Sequence, residues 1–167
     1  MDNIYFRKAQ EKDIQRIKDI YNQAIMKGGI TADCDCVSYE LRKEWFDSHS
    51  DERYPIFVCL KDEEVIGYAY LSAYRGGRKA VAHVAEISYY FDFSYLNTGL
   101  GSRMMEFMIS EALKRNISVL IAIVISGNEK SEGLLNKFGF SLWGRFPEIV
   151  HTKEGKKDHF IYGKNIF

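Results

Sequence analysis

The chain has 167 residues, of which 46% are apolar and only two are proline. This length and composition predict one compact domain over residues 1–167 that folds along its whole length, and they exclude a largely disordered chain. Lys and Arg together number 23, as do Asp and Glu, so the chain lacks the strong net charge typical of proteins that bind nucleic acid or membrane surfaces.

The cysteines and histidines give little sign of a metal site. Cys34, Cys36 and Cys59 are an odd, small set, which suits a reducing compartment. The four histidines stand at no paired-ligand spacing, so we expect no metal. No apolar run approaches the roughly 20 residues of a membrane span, and the first residues lack the apolar stretch of a signal peptide. We therefore expect a cytoplasmic protein that binds neither membrane nor nucleic acid.

The first part of the chain predicts a strand followed by two helices. Residues 4–9 read as the strand, and Asp13 stands where a helix N-cap would. Apolar side chains at helical spacing follow it, namely Ile14, Ile17, Tyr21, Ala24 and Ile25. Gly28 and Gly29 end this helix, and Ser38 caps the next one. The inward side chains of that second helix are predicted to be Leu41, Trp45 and Phe46.

Three strands come next. Residues 55–60 and 65–74 are strand-like runs separated by the polar spacer "KDEE", which predicts an antiparallel hairpin. The glycine-rich link "RGGRK" then leads to a strand over residues 81–91.

The second half alternates helices and strands. The segment "GLGSRMMEFMISEALKRN" has an apolar helical stripe, made of Leu100, Met104, Phe107, Met108 and Leu113. Residues 117–125 form a continuous apolar run, as a buried parallel strand requires. A short helix over residues 128–137 and two strands, at 140–146 and 158–167, complete the chain. The predicted order is β-α-α-β-β-β-α-β-α-β-β, an α/β fold with a mixed central sheet flanked by helices.

The turn in "DFSYLNTGLGSRMMEF", residues 92–107, has features of an anion site. A helix N-terminus offers free backbone N–H groups and a favourable dipole, which attract a phosphate. Gly99 and Gly101 let an oxyanion approach the main chain, and Ser102 adds a hydroxyl. The pattern is neither a P-loop nor the dinucleotide fingerprint. Spacing alone leaves open whether the glycines hold a phosphate or only allow tight packing.

Two collinear motifs give the chain a family resemblance. The first is "LNTGLG", residues 96–101, and the second is "SGNEKSEGLLNKFGF", residues 126–140. The residues that match the second signature are Asn128, Ser131, Leu134, Gly139 and Phe140. With the "ITAD", "EWFDSH" and "GRFPEI" stretches, the chain resembles GNAT-superfamily N-acetyltransferases, and within them the phosphinothricin or methionine sulfoximine acetyltransferase branch.

The resemblance implies a V-shaped split between two central parallel strands, with acetyl-CoA in the split. It puts the pyrophosphate on the turn formed by Asn97, Thr98, Gly99, Leu100, Gly101 and Ser102. The pantetheine arm would pair with the backbone of Tyr89, Tyr90 and Phe91. Asn128 would contact CoA, and Ser131 would either assist it or only cap the helix. Two departures are Leu96, where the family has Gln or Arg, and Leu135, where many members have a tyrosine acid.

Glu86 is the candidate catalytic residue. An alkyl amine is an ammonium ion at neutral pH, so a base must remove a proton before the amine attacks a thioester. In the enzymes that the chain resembles, a glutamate at this place is the proposed base. An ordinary Glu has too low a pKa to be a good base for an amine, so burial would have to raise its pKa or a water chain would have to relay the proton. The alternative is that Glu86 only binds the ammonium group of the substrate.

The resemblance also indicates an acceptor pocket. It puts Tyr74 and Arg75 near the acceptor, with Arg75 able to clamp a carboxylate in a bidentate pair. Ile87 and Ser88 follow Glu86 and are expected to face the same cleft.

The predicted function is acetyl transfer from acetyl-CoA to a small amine, with an amino-acid analogue such as phosphinothricin or methionine sulfoximine as the acceptor. The alternatives are an acyl-CoA-binding module without turnover and an N-acetyltransferase acting on proteins or peptides. The branch often forms homodimers, and the aromatic C-terminus "FIYGKNIF" would serve either an interface or a core strand.

Overall fold

The computed structural model describes residues 3–49 and 52–167, and this part of the chain forms one mixed sheet of seven strands with four α-helices around it. The strands are Ile4–Lys8 (β1), Ile56–Lys61 (β2), Glu64–Ala73 (β3), Val84–Phe91 (β4), Val119–Ile125 (β5), Ser141–Thr152 (β6) and Gly155–Asn165 (β7). The helices are Ile14–Lys27 (α1), Tyr39–Ser48 (α2), Leu100–Lys114 (α3) and Glu129–Lys137 (α4). The predicted order of elements and the α/β fold class are confirmed.

The strand order across the sheet is β1-β2-β3-β4-β5-β7-β6. Every neighbouring pair is antiparallel except β4 and β5, which run parallel. Their parallel ladder joins Val84 to Val119 and ends where Glu86 pairs with Ile121. Because β4 continues to Phe91 and β5 to Ile125, the two strands separate beyond that pair. The predicted split between two central parallel strands is thus confirmed.

Helices pack on both faces of the sheet and bury two apolar cores. One core contains the inward stripe of α3 with Leu135 of α4, and it covers alternate residues of the central strands, including Ala85 and Ile87. The other core contains the inward stripe of α1, with Tyr68 of β3 and, at its margin, Trp45 of α2. The central strands are therefore covered by helices on both faces of the sheet.

Three sequence predictions need local corrections. Residues Lys79–Val81 form a 3-10 turn, so the strand predicted from residue 81 begins at Val84. Leu41 is 57% exposed, because the buried stripe of α2 runs through Arg42 and Trp45 and lies a quarter turn away. Leu113 is 43% exposed for the same reason, since the buried row of α3 ends on Ala112.

Asp13 also differs from its predicted role, because its side chain does not cap α1. Its carboxylate accepts the backbone N–H of Gln10 at 2.7 Å, which closes a 3-10 turn before the helix. It also accepts two hydrogen bonds from Arg7 of β1, at 2.6 and 3.0 Å. Burial alone would raise the pKa of Asp13, but these hydrogen bonds outweigh it and hold the pKa below its usual value. The residue therefore ties the first helix to the sheet edge.

Replacing Asp13 by asparagine is expected to lower the free energy of unfolding by about 1.5–3 kcal/mol at pH 7, the range for a hydrogen bond to a charged group. The pKa of Asp13 is depressed in the folded state, so its stabilisation is present above the unfolded pKa of about 3.9 and is lost as the pH falls through the folded value. Urea denaturation at pH 7 and at lower pH checks this. A difference between the two proteins that persists unchanged in acid would contradict it.

Candidate functional site

A cleft opens between β4 and β5 where the two strands separate. It holds about 380 Å³ of space, part of it open to solvent. Its lining includes Ser88, Tyr89 and Tyr90 of β4, together with Asn128 and Ser131 at the start of α4. The split thus brings together two groups of sequence-predicted residues that lie about forty positions apart in the chain.

Side-chain alternation along β4 divides the predicted residues between the two faces of the sheet. Ile87, Tyr89 and Phe91 pack into the core beneath α3 and α4. Tyr90 packs on the opposite side, with the aromatic residues near α1 and α2, and Glu86 shares that side by the same alternation. Ile87 lines the cleft but is only 2% exposed, so its side chain is directed away from the side of Glu86.

The glycine turn begins α3, and its two glycines serve different purposes. Gly99 is the N-cap residue and has a φ of +82°, a left-handed conformation that glycine adopts without strain. A Cβ on Gly101 would lie 3.1 Å from Cδ2 of Leu134, so this glycine lets α3 approach α4 closely. Packing and anion access are therefore compatible in this turn, because each depends on a different glycine.

The remaining residues of the turn present mainly backbone groups. The Thr98 hydroxyl donates to the carbonyl of Tyr95 at 2.6 Å. The Leu100 side chain is 3% exposed and belongs to the core, so its backbone N–H is what it can offer a ligand. The first helical hydrogen bond runs from the N–H of Arg103 to the carbonyl of Gly99, which leaves the earlier N–H groups of the helix without intrahelical partners.

A lysine that the sequence analysis missed lies beside this turn. Lys137, the last residue of α4, donates from Nζ to the Ser102 hydroxyl at 2.7 Å. Its ammonium group adds positive charge to a helix N-terminus that already attracts anions. The contact depends on how α4 packs against α3, and no short motif in the sequence indicates it.

The start of α4 is organised by Asn128. The Asn128 side chain accepts the backbone N–H of Ser131 at 3.4 Å, so Asn128 is the helix cap, and Ser131 is not. Burial raises the pKa of Tyr89 to about 12, against a smaller opposing effect of the Ser131 hydroxyl. Leu135, one turn further along α4, is fully buried. The phenolic hydroxyl on this side of the cleft is therefore that of Tyr89 in β4, and it is protonated at neutral pH.

Glu86 lies at the neck of the split, on the last residue pair of the parallel ladder. Burial raises the pKa of its carboxyl group. Within residues 3–49 and 52–167, neither oxygen of Glu86 takes part in a hydrogen bond or an ion pair. Its cross-strand neighbour is Ser72, whose hydroxyl lies 3.4 Å from Nε2 of His49. A half-buried carboxylate with no partner of its own is suited to receive a proton or a cation.

An aromatic layer covers the same side of the sheet as Glu86. We define it by its five rings, those of Tyr21, Trp45, Tyr68, Tyr70 and Tyr90. Arg42 of α2 lies against it, with its Cζ 4.1 Å from the centre of the Tyr21 ring and 4.3 Å from that of Trp45. The sequence analysis did not single out Arg42, because a charged residue on an amphipathic helix normally faces solvent.

Tyr74 and Arg75 follow β3 near the neck of the split. The backbone N–H of Tyr74 donates to the carbonyl of Val84, two residues before Glu86. Both side chains are exposed, Tyr74 by 45%. The pairing of β3 with β4 therefore brings Tyr74 and Arg75 close to Glu86, on a turn that is open to solvent.

Residues 3–49 and 52–167 contain no group of three or more His, Cys, Asp or Glu residues that is arranged to hold a metal ion. They also contain no helix that is long and apolar enough to span a membrane.

Comparison with known proteins identifies relatives along nearly the whole chain. The family model described as "Acetyltransferase (GNAT) domain" matches residues 6–161. YwnH of Bacillus subtilis (strain 168), named for phosphinothricin acetylation, is 33% identical over 161 residues, which is 96% of this chain and 98% of YwnH. The L-methionine sulfoximine/L-methionine sulfone acetyltransferase of Pseudomonas paraeruginosa is 33% identical over 86% of this chain and 83% of its own.

A solved structure agrees with these matches. The N-acetyltransferase from Staphylococcus aureus Mu50 superposes with a TM-score of 0.93 at 27% identity, and the match covers 99% of both chains. The likeness therefore extends from sequence to the whole fold.

Proposed function

The chain belongs to the GNAT acetyltransferase family, and from this premise we propose that it transfers an acetyl group from acetyl-CoA to the amine of a small molecule. The observation that carries the proposal is the separation of β4 from β5 beyond Glu86, beside a helix N-terminus shaped to bind an anion. A thioester carrier with a diphosphate needs both of these features: an unpaired strand edge for its arm and a cradle for its phosphates.

The residues present fit acetyl-CoA. The turn of residues 97–102 and Lys137 would hold the diphosphate, since Gly99 leaves open space where a Cβ would project. The β5-facing backbone of Tyr89, Tyr90 and Phe91 would pair with the pantetheine arm, because the ladder to β5 has already ended. Asn128 and Ser131 line the cleft next to this edge. When bound, acetyl-CoA supplies the activated acetyl group.

The protein groups around the neck of the split can accept and donate the protons that the reaction transfers. The Glu86 carboxylate takes a proton from the acceptor ammonium, directly or through water, and its raised pKa makes it a better base than an exposed glutamate. Backbone N–H groups on the free edge of β4 can donate to an oxygen on which negative charge develops. The Tyr89 hydroxyl, with a pKa of about 12, is protonated at neutral pH and can donate on the other face.

We propose an amino-acid analogue as the acceptor. The Pseudomonas relative is named for L-methionine sulfoximine and L-methionine sulfone, and the two chains are 33% identical over 149 residues. Tyr74 and Arg75 would contact the acceptor at the rim, while Ser88 shares the side of Glu86.

Release of free CoA thiol from acetyl-CoA tests this function. The protein is incubated with phosphinothricin, L-methionine sulfoximine, L-methionine sulfone, simple alkylamines and short peptides, and CoA binding is measured separately by calorimetry. Release with the amino-acid analogues is expected. Binding of CoA without release for any acceptor would favour the module without turnover. A preference for peptides would favour a protein acetyltransferase.

We further propose that the protein forms a homodimer and resides in the cytoplasm. Its three cysteines are unpaired, as in reducing compartments. The C-terminal strand β7 lies between β5 and β6, so "FIYGKNIF" belongs largely to an interior strand. The edge strand β6 instead exposes large apolar side chains along its length, and we call the part of the strand that carries them the β6 surface; they are Leu142, Trp143, Phe146 and Ile149. A second copy covering this β6 surface would remove it from water.

Replacing Phe146 by glutamate is therefore expected to weaken self-association by at least about tenfold, since it puts a charge at an apolar contact. Size-exclusion chromatography with light scattering over a range of concentrations measures this. Leu113→Glu is the matched control, because Leu113 is an exposed leucine on α3, outside the β6 surface. Equal association of both variants and the parent protein would refute the assignment.

A further inference from the structure

We propose that Arg42 binds the anionic group of the acceptor, so that the site selects amines that carry a carboxylate. The inference rests on the proposed function, in which Glu86 receives the amine. It assigns the carboxylate to a buried arginine of α2, where the sequence had suggested the exposed Arg75.

Arg42 is a buried cation without an anionic partner. The residue is 5% exposed, and in the described part of the chain its guanidinium makes no hydrogen bond or ion pair. Its Nε is fully enclosed and has no acceptor. Buried charges in proteins are normally paired, because removing an ion from water costs more than weak contacts return. An unpaired guanidinium in this position indicates that its partner arrives with a ligand.

The contacts that Arg42 does make leave its donors free. The Cζ atom of the guanidinium lies over the rings of Tyr21 and Trp45, at 4.1 and 4.3 Å from their centres, so both rings hold the cation. The N–H bonds of a guanidinium lie in its plane, where they form a fork that matches the two oxygens of a carboxylate. Asp33 accepts the Tyr21 hydroxyl and forms no ion pair with Arg42. The rings therefore hold the cation in place, and its Nε donor has no acceptor among the described residues.

A second unsatisfied donor lies in the same layer. The Tyr68 hydroxyl is fully buried without a hydrogen-bond partner. Its ring packs edge-on against Trp45, at 6.1 Å between centroids, which puts it beside the ring that holds Arg42. Arg42 Nε and this hydroxyl are the two buried side-chain atoms without partners in the described residues. Burial raises the pKa of Tyr68 and the charge of Arg42 lowers it, so the two donors share one environment, which indicates one missing acceptor group.

Arg42 and Glu86 lie on the same side of the sheet, joined by packed rings. Trp45, which contacts Arg42, meets Tyr70 edge-on at 5.0 Å. Tyr70 pairs across the strands with Ser88, two residues from Glu86, and both charges act on the Tyr70 hydroxyl. One layer thus holds an unpaired carboxylate and an unpaired guanidinium. This pair of charges complements a zwitterion, with its ammonium at Glu86 and its carboxylate at Arg42.

The test compares two acceptors that differ by the carboxylate alone: L-methionine sulfone and 3-(methylsulfonyl)propylamine. With Arg42→Gln, we expect KM for L-methionine sulfone to rise at least about tenfold, the effect of losing one charge-assisted contact. KM for the decarboxylated amine should stay within about twofold by the same reasoning, since it has no group for Arg42. Arg42→Lys should restore part of the loss, and thermal unfolding verifies that both variants fold. Equal changes for both acceptors, or a selective loss only in Arg75→Gln, would overturn the proposal.

A binding measurement separates this inference from the proposed function. The chain has two tryptophans, so in a Trp143→Phe background Trp45, which contacts Arg42, is the sole indole emitter. L-methionine sulfone should change its fluorescence saturably, and the change should be absent in Trp143→Phe/Arg42→Gln. If this holds while no acceptor releases CoA thiol, the proposed function fails and the anion site stands. A signal that is absent, or that survives in the double variant, refutes the site.

Discussion

Replacing Glu86 by glutamine is expected to lower kcat/KM for the amine acceptor by about 10²–10⁴-fold, the usual contribution of a general base. The glutamine keeps the size and polarity of the side chain but cannot accept the ammonium proton. Glu86 holds no partner among the described residues, so the substitution leaves no group unsatisfied and the fold should persist. Thiol release at saturating acetyl-CoA measures the rate, and thermal unfolding verifies the fold.

The pH dependence gives an independent check on Glu86. Burial raises the pKa of its carboxyl group, and a base must be ionised to act. The rate of the parent enzyme should therefore fall as the pH drops through that raised pKa, and Glu86→Gln should lack this limb. Glu154→Gln is the matched control, because that side chain is 78% exposed on the β6–β7 turn. A higher KM with unchanged kcat would show instead that Glu86 only binds the ammonium.

Replacing Gly99 by aspartate is expected to weaken CoA binding by about 100-fold, because it adds a negative charge that repels the diphosphate and competes with it for the helix N–H groups. Aspartate tolerates the left-handed φ of this position better than most residues. A carboxylate at the N-terminus of α3 also interacts favourably with the helix dipole, by about 0.3–1 kcal/mol. Stability should therefore be kept while affinity is lost, which calorimetry with CoA and thermal unfolding together can measure.

The matched variant is Gly99→Asn, which has nearly the same shape without the charge. It should weaken CoA binding by about tenfold or less, from crowding of the cradle. If asparagine and aspartate weaken CoA equally, the loss is steric and the anion assignment of the turn is contradicted. If neither affects CoA, the turn serves packing only, through Gly101 and Leu134.

The sequence predicted those parts of the fold that depend on local patterns. The apolar run of residues 117–125 predicted a buried strand, and β5 is a largely buried interior strand of the sheet, although Ile123 is 37% exposed. Ser38 was predicted to cap α2, and its hydroxyl accepts the N–H of Leu41 at 3.2 Å. Gly99 and Gly101 predicted the start of α3. The left-handed conformation at Gly99 is one that a glycine adopts without strain, so this boundary follows from the local sequence.

The parts that sequence could not supply are contacts between distant elements. Lys137 joins the anion turn only because α4 packs on α3. Arg42 is buried because α2 packs its Arg42 and Trp45 side toward the Tyr21 ring of α1, whereas a helical pattern alone favours Leu41 as the inner residue. Ile87 and Ser88 both line the cleft, but alternation along β4 sends their side chains to opposite faces of the sheet, a distinction that the sequence analysis did not draw.

The hydrogen bond between Lys137 and Ser102 has a consequence for the thermodynamics of cofactor binding. A free lysine loses about 2 kcal/mol of rotamer entropy when a ligand immobilises it. Here the Ser102 hydroxyl already restrains the ammonium at 2.7 Å beside the helix N-terminus. Much of that ordering takes place when the protein folds rather than when the phosphate arrives. The turn is therefore preorganised, and much of the entropic penalty of fixing Lys137 is met before binding begins.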